Sequence, residues 1–242
     1  MYELVICAGT DGIDWLRKIE REVCGGGNAV TACSLSGKRS CLCIGTDRRS
    51  AVKVKKLAEK ALNRILLGEV KSMYIGKRIN RLHICSSSRM LLVHALARFD
   101  REAEEGMLRE SMEIGKIFDL DGFRHFRMRD FYSRWDEICE LACRHDDFLS
   151  DESAFGDLIR FLVDSGKRRG ARAEVYRMGG KYRLIERTPD TDTEERMYDE
   201  LDALICRLID FAPSETILGG FGNDADYKKL SSIFDVSCNI LR

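Results

Sequence analysis

The sequence predicts an α+β fold that is helix-rich, with two small antiparallel or mixed sheet units each flanked by helices. Two observations carry this. Apolar residues recur at intervals of three and four along several long segments, the period of a helix with one buried face. Between them lie short β-like runs paired around glycine-containing turns, which is how hairpins read in sequence. Only two prolines occur, Pro189 and Pro213, and no Ser/Gly-rich linker divides the chain. The expected organisation is an N-terminal unit over 1–115 and a C-terminal unit over 116–242, closely packed, with the seam between 110 and 121.

The elements follow in order. Residues 2–7 read as a strand, and 14–23 as a helix with Trp15, Leu16, Ile19 and Val23 on one face. The run Cys24-Gly25-Gly26-Gly27-Asn28 breaks that helix. Segments 29–35 and 40–44 then flank Ser36-Gly37-Lys38-Arg39, a hairpin turn. A helix is expected over 50–67, where Val54, Leu57, Ala58, Ala61, Leu62 and Ile65 oppose Lys53, Lys56, Glu59, Lys60 and Asn63. Further helices are expected over 89–115, 126–143 and 153–163, the last stopping at Gly166.

Segments 172–177 and 181–186 bracket Met178-Gly179-Gly180 as a second hairpin. Thr191 with Glu194 three residues on reads as a capping box. It would open a helix striped by Met197, Leu201, Leu204, Ile205, Leu208 and Ile209 and stopped by Phe211-Ala212-Pro213. Strands at 215–218 and 236–240, with a short helix over 226–234 between them, close the chain.

Composition excludes some functions. Lys plus Arg number 40 and Asp plus Glu number 40, so net charge supplies no general attraction to a polyanion. A nucleic-acid partner would need a local patch. No apolar stretch approaches the roughly 20 residues of a membrane span, and residues 1–7 lack the basic and apolar regions of a secretory signal. A cytoplasmic location without membrane insertion is expected. On that basis the ten cysteines read as reduced thiols rather than a disulfide framework. Cys7, Cys33, Cys85, Cys206 and Cys238 flank Val, Ile or Leu and read as core residues.

Few patterns carry chemistry. Cys41 and Cys43 lie two apart on a strand and share a face, but a structural zinc site uses paired Cys knuckles, and no second knuckle follows. They read as core thiols. Cys139 and Cys143 lie one helical turn apart with His145 just beyond, a metal or redox candidate. Against it, Ile138, Leu141 and Ala142 continue the apolar face of a packed helix. His83, His94, His125 and His145 fit no catalytic template, and neither a Walker loop nor a nucleophile elbow is present. Gly219-Gly220-Phe221-Gly222 lacks the Lys-Ser/Thr pair of a phosphate loop and reads as a turn. No catalytic residue and no cofactor is nominated, and the balance leans away from an enzyme.

Two basic groups could contact an anion. Arg124, Arg127 and Arg129 interleave with Phe123, Phe126, Phe131 and Tyr132, a mixture suited to stacking and phosphate contact in a single-strand groove. The same aromatics, with Trp135, fall near helical spacing and could be core. Arg48 and Arg49 with Lys53, Lys55 and Lys56 crowd a helix start, where cations oppose the helix dipole.

One stretch carries a family pattern. Gly122-Phe123, Phe126-Arg127-Met128-Arg129-Asp130-Phe131, Trp135 with Ile138, and Phe155 with Leu158-Ile159-Arg160-Phe161-Leu162-Val163 resemble the YtxC-like sporulation proteins of endospore-forming bacteria. The segment 208–218, then Leu230, Ile233, Phe234, Val236 and Cys238, is similar to that family's closing region. The chain departs from it where Gly219 follows Leu218 and only Cys238 remains of a terminal cysteine cluster. The resemblance implies a cytoplasmic role in spore formation and brings no catalytic residue or cofactor. The expectation is therefore a sporulation-associated protein acting by protein–protein interaction or regulation. The alternatives are a nucleic-acid-associated protein using 122–135, and a metal or redox protein using Cys139, Cys143 and His145.

Overall fold

The computed structural model describes residues 1–26, 28–144, 149, 151–166, 170–188 and 191–238. The chain opens with β1 (Tyr2–Gly9), α1 (Ile13–Gly26), β2 (Ala29–Ser36), β3 (Arg39–Thr46) and α2 (Ala51–Arg64). A π-helical segment (Ile65–Val70) leads into α3 (Lys71–Ile79), α4 (Ser86–Arg98) and α5 (Arg101–Ser111). Next come β4 (Ile117–Asp119), α6 (Leu120–Arg127), α7 (Arg129–Arg144) and α8 (Glu152–Asp164). The remainder is β5 (Arg172–Met178), β6 (Lys181–Thr188), β7 (Thr191–Tyr198), α9 (Leu201–Phe211), β8 (Glu215–Gly219), α10 (Ala225–Ile233) and β9 (Val236–Cys238). The α+β expectation holds, with two mixed sheets of four and five strands. The chain forms two compact units, one of Met1–Lys71 with Ala103–Trp135, the other of Ser72–Glu102 with Asp136–Arg242.

In the first unit the strand order is β2-β3-β1-β4. β1 and β3 run antiparallel from Tyr2↔Thr46 to Gly9↔Arg39, and β4 joins β1 in parallel. The period-two pattern buries Leu4, Ile6, Leu42 and Ile44 on one face. The buried stripe of α1 (Leu16, Ile19, Val23) lies on the same core. Gly37, at φ +60°, makes the tight β2–β3 turn, a conformation a residue with a Cβ rarely adopts.

In the second unit the order is β7-β6-β5-β8-β9. Ala173, Val175 and Leu184 of β5 and β6 are buried in one core with Leu92 and Leu96 of α4, Ile159 and Leu162 of α8, and Ile205, Leu208 and Ile209 of α9. Among the described residues no helix is long and apolar enough to cross a membrane.

Several expected elements differ. Residues 191–198 form a strand rather than the start of a helix: they pair antiparallel with β6 from Tyr182↔Tyr198 to Thr188↔Thr191, and Arg183 of β6 adds two 2.7 Å hydrogen bonds to Glu195 across the ladder. The helix begins only at Leu201, with Glu200 as its N-cap. The segment 89–115 is two helices, broken at Phe99 and at Asp100, which sits at φ 59°. The segment 126–143 is also divided. α6 starts early, where the Asp119 side chain accepts from Gly122 N–H, and ends at Met128.

Cysteine is corrected most. Cys7 and Cys41, expected as thiols, face each other in the register and are joined by a disulfide. Cys33, Cys43 and Cys85 are exposed rather than core; Cys33 lies on edge strand β2, and the Cys85 sulfur caps α4 by accepting from Ser88 N–H. Cys139 and Cys206 are buried, as their apolar neighbours suggest.

Candidate functional site

The basic residues at the head of α2 do not form a bare cationic cluster. Arg48, Arg49, Lys53 and Lys56 are exposed, but Asp47 sits among them. Its carboxylate accepts from Ser50 N–H, from the Ser50 hydroxyl and from Arg49 N–H. The Ser50 amide is the main reason that this carboxyl titrates below its ordinary range. Asp47 thereby supplies the negative charge that a helix start favours.

The aromatic–arginine stretch divides in two. Phe123, Phe131 and Trp135 are buried, with Phe118–Phe123 and Tyr132–Trp135 ring centroids 5.4 and 5.2 Å apart. Arg124 is engaged inside the unit, its guanidinium 5.0 Å over the Trp15 ring and 3.5 Å from Asp121. Only Phe126, with His125 edge-on to it, Arg127 and Arg129 remain exposed. No described hydrogen bond or ion pair joins this group to the cations of α2.

Cys139 is buried and packs in the apolar core of the second unit, with Cys143 partly buried against it. His145 lies outside the described residues. Among those described, no group of three or more His, Cys, Asp or Glu side chains is arranged to hold a metal.

Three arrangements escaped sequence reasoning. Lys71 reaches both oxygens of Glu104 at 2.7 and 2.9 Å, and Trp135 Nε1 donates to the same carboxylate at 2.8 Å. Both side chains of the pair are fully buried. In the second unit, His94 of α4 lies 2.9 Å from Asp210 of α9. That contact, followed by one to Cys206, pushes the imidazole pKa up to about 10. The ring is therefore a cation at neutral pH and clamps two helices whose residues are 116 positions apart.

The third is the outer face of the four-stranded sheet. Residues on β1 and β3 that alternate with the buried set face away from α1. The registers align Ala32, Cys43, Val5 and Ile117 in one row across all four strands. Ser34, Cys41, Cys7 and Asp119 form the next row. Val30 is 79% exposed and Ile117 71%, and Ala32 and Cys43 are exposed as well. Charge is confined to the margins, where Arg39 donates to Asp119 at 2.6 Å. The alternation in β1 and β3 is readable in sequence, but the row requires the strand order.

A groove of about 320 Å³ beside α1 is lined by Lys18, Arg21, Glu22, Arg64 and Glu69. Its charges answer one another, with Lys18–Glu69 at 2.6 Å and Arg64–Glu22 at 3.2 Å. Comparison with protein-family models, with curated proteins and with solved structures finds no match for this chain.

Proposed function

We propose that this chain is a cytoplasmic interaction protein, and that the outer face of its four-stranded sheet is the surface through which it engages a protein partner. The observation that carries this is the apolar row Ala32, Cys43, Val5 and Ile117, exposed except at the half-buried Val5, on the side of the sheet opposite the packed Leu4, Ile6, Leu42 and Ile44. An uncovered apolar patch bounded by charge is the usual mark of a protein interface. The resemblance to YtxC-like proteins supplies the setting, spore formation.

The test is affinity purification of the tagged chain from sporulating cells, run in parallel with Ile117→Glu. Ile117 is solvent-facing on a short edge strand, so the substitution leaves folding intact. A protein retained by the wild type and lost from Ile117→Glu is the expected result. An identical set of retained proteins in both samples overturns the reading.

A further inference from the structure

The sheet of the first unit ends on one side in β2, whose eight residues Ala-Val-Thr-Ala-Cys-Ser-Leu-Ser contain neither charge nor proline. Its register with β3 runs from Ala29↔Thr46 to Ser36↔Arg39 without a bulge. Exposed edges of this length are normally blunted by lysine, proline, a bulge or a covering element, because their unpaired amides and carbonyls template further pairing. This edge has none of the first three. Val30 and Leu35 are 79% and 68% exposed, and Ala32, Cys33 and Ser34 are exposed between them.

Two independent observations fix which backbone groups point off the edge. The two-residue turn at Gly37-Lys38 makes Ser36 and Arg39 the closing hydrogen-bonded pair, so the even-numbered residues of β2 bond to β3. Cys7 and Cys41 have Cα atoms 4.2 Å apart, the close spacing of a non-hydrogen-bonded pair. The backbone of Cys41 is therefore directed at Ser34 in β2 rather than at β1, which gives the same phase. The free N–H and C=O groups belong to Ala29, Thr31, Cys33 and Leu35.

We propose that this edge pairs antiparallel with the β2 edge of a second copy of the chain, about a dyad at Ala32, uniting two four-stranded sheets into one. A dyad perpendicular to the sheet keeps each face continuous, so opposed residues have the same parity and one residue meets its own copy. With Ala32 at the centre, Thr31 lies opposite Cys33 and Ala29 opposite Leu35 of the second copy, and every outward-pointing group is bonded. With Cys33 at the centre, Ala29 would pass the end of the strand. The strand side chains opposed across the seam, Val30 with Ser34 and Ala32 with Ala32 on the outer face and Thr31 with Cys33 on the other, are uncharged. The one carboxylate beside them, Glu20 of α1, is already engaged by Thr31 at 2.8 Å. The pairing also carries the row Ile117, Val5, Cys43, Ala32 straight into its copy.

Cross-linking at the dyad tests this, in a background with Cys24, Cys33, Cys43 and Cys85 changed to Ser. Ala32→Cys places two thiols at a self-opposed, non-hydrogen-bonded position, about 4.5 Å apart at Cα. Under a glutathione buffer it is expected to give a covalent dimer whose linked peptides both carry position 32. Val30→Cys, opposed to Ser34, is expected to give little. Sedimentation across a concentration series should show a dimer for the wild type. The dimer should be lost in Cys33→Pro, which removes an outward N–H, and in Ala32→Lys, which opposes two cations. Circular dichroism checks that each variant folds, and Ala32→Lys at an exposed position remains decisive if Cys33→Pro does not. A wild type that sediments only as a monomer, or equal cross-linking of Ala32→Cys and Val30→Cys, overturns the proposal. The outer-face reading is separable, because Ile117→Glu leaves this dimer intact.

Discussion

The two sheets treat their long edges in opposite ways. β7 of the second unit is laced with charge, Arg183 gripping Glu195 and Arg196 bonding Glu194 at 2.8 Å. β2 of the first unit carries no charge at all. The interiors show the reverse. The first unit encloses Lys71 and Glu104 completely, whereas in the second unit Arg207 keeps about a third of its side chain in water while pairing with Glu186. Charge at an edge discourages pairing with another chain, and charge in a core is tolerated only when fully partnered. The second unit is thus closed to association at its edge, and the first is open there while its internal polar cluster pins one arrangement of the helices.

The largest expected effect breaks that contrast at Lys71. Lys71→Ala leaves the Glu104 carboxylate buried without its ammonium partner, and removing one member of a buried pair costs about 3–5 kcal/mol. Replacing both, as Lys71→Met with Glu104→Leu, should recover most of the loss, because the paired desolvation penalty disappears too. Arg207→Ala in the second unit should cost less, about 1.5–3 kcal/mol, the worth of a hydrogen bond to a charged group. Urea denaturation measures all three. Trp15 and Trp135, the only tryptophans, both lie in the first unit, so their fluorescence follows it selectively. A Lys71→Ala loss smaller than that of Arg207→Ala would remove the distinction between the two interiors.

Much of this architecture was legible in the sequence where period and punctuation agree. The stripe Leu204, Ile205, Leu208 and Ile209 marks α9, and Gly179-Gly180 marks the β5–β6 turn. The reading failed where local preference met a tertiary partner. Thr191 and Glu194 have capping-box spacing, and Glu194, Glu195 and Arg196 favour helices, yet the segment is extended in the ladder with β6, where Arg183 also meets Glu195. Apolar neighbours predict a buried Cys33, but β2 is an edge and leaves it in solvent. The disulfide depends on register, which places residues 34 apart opposite one another. The open row and the buried pair likewise need the strand order and residues 33 positions apart, information that no local window contains.

Reducing the Cys7–Cys41 bond is expected to have the next largest effect, again in the first unit. A cross-link closing a loop of this length contributes about 2–4 kcal/mol by constraining the unfolded chain. Dithiothreitol, or Cys7→Ser with Cys41→Ser, should lower the urea midpoint read from tryptophan fluorescence by that amount. Thiol titration of the unfolded protein should gain two groups on reduction. Disulfides are rare in a reducing cytoplasm, so the same titration on protein trapped with alkylating agent inside cells reports which form operates there. No change in midpoint on reduction would mean that the ladder alone fixes β1 against β3.

The smallest effect lies in the second unit, at the half-exposed His94–Asp210 pair, where solvent limits the contribution to about 1 kcal/mol or less. The folded imidazole titrates near 10 against an ordinary value of 6.5, chiefly because Asp210 accepts from the charged ring. A pKa raised in the folded state means that folding favours the protonated form. The stabilisation is therefore complete below about pH 6.5 and is lost as pH rises through about 10. Asp210→Asn should flatten the difference in stability between those limits, and Cys206→Ala should remove a smaller share. Midpoints of urea denaturation measured from pH 6 to pH 10, followed by far-ultraviolet circular dichroism because the second unit has no tryptophan, decide it. If Asp210→Asn and the wild type keep the same pH profile, the ring is not held charged by this contact, and the second unit's helices α4 and α9 rely on apolar packing alone.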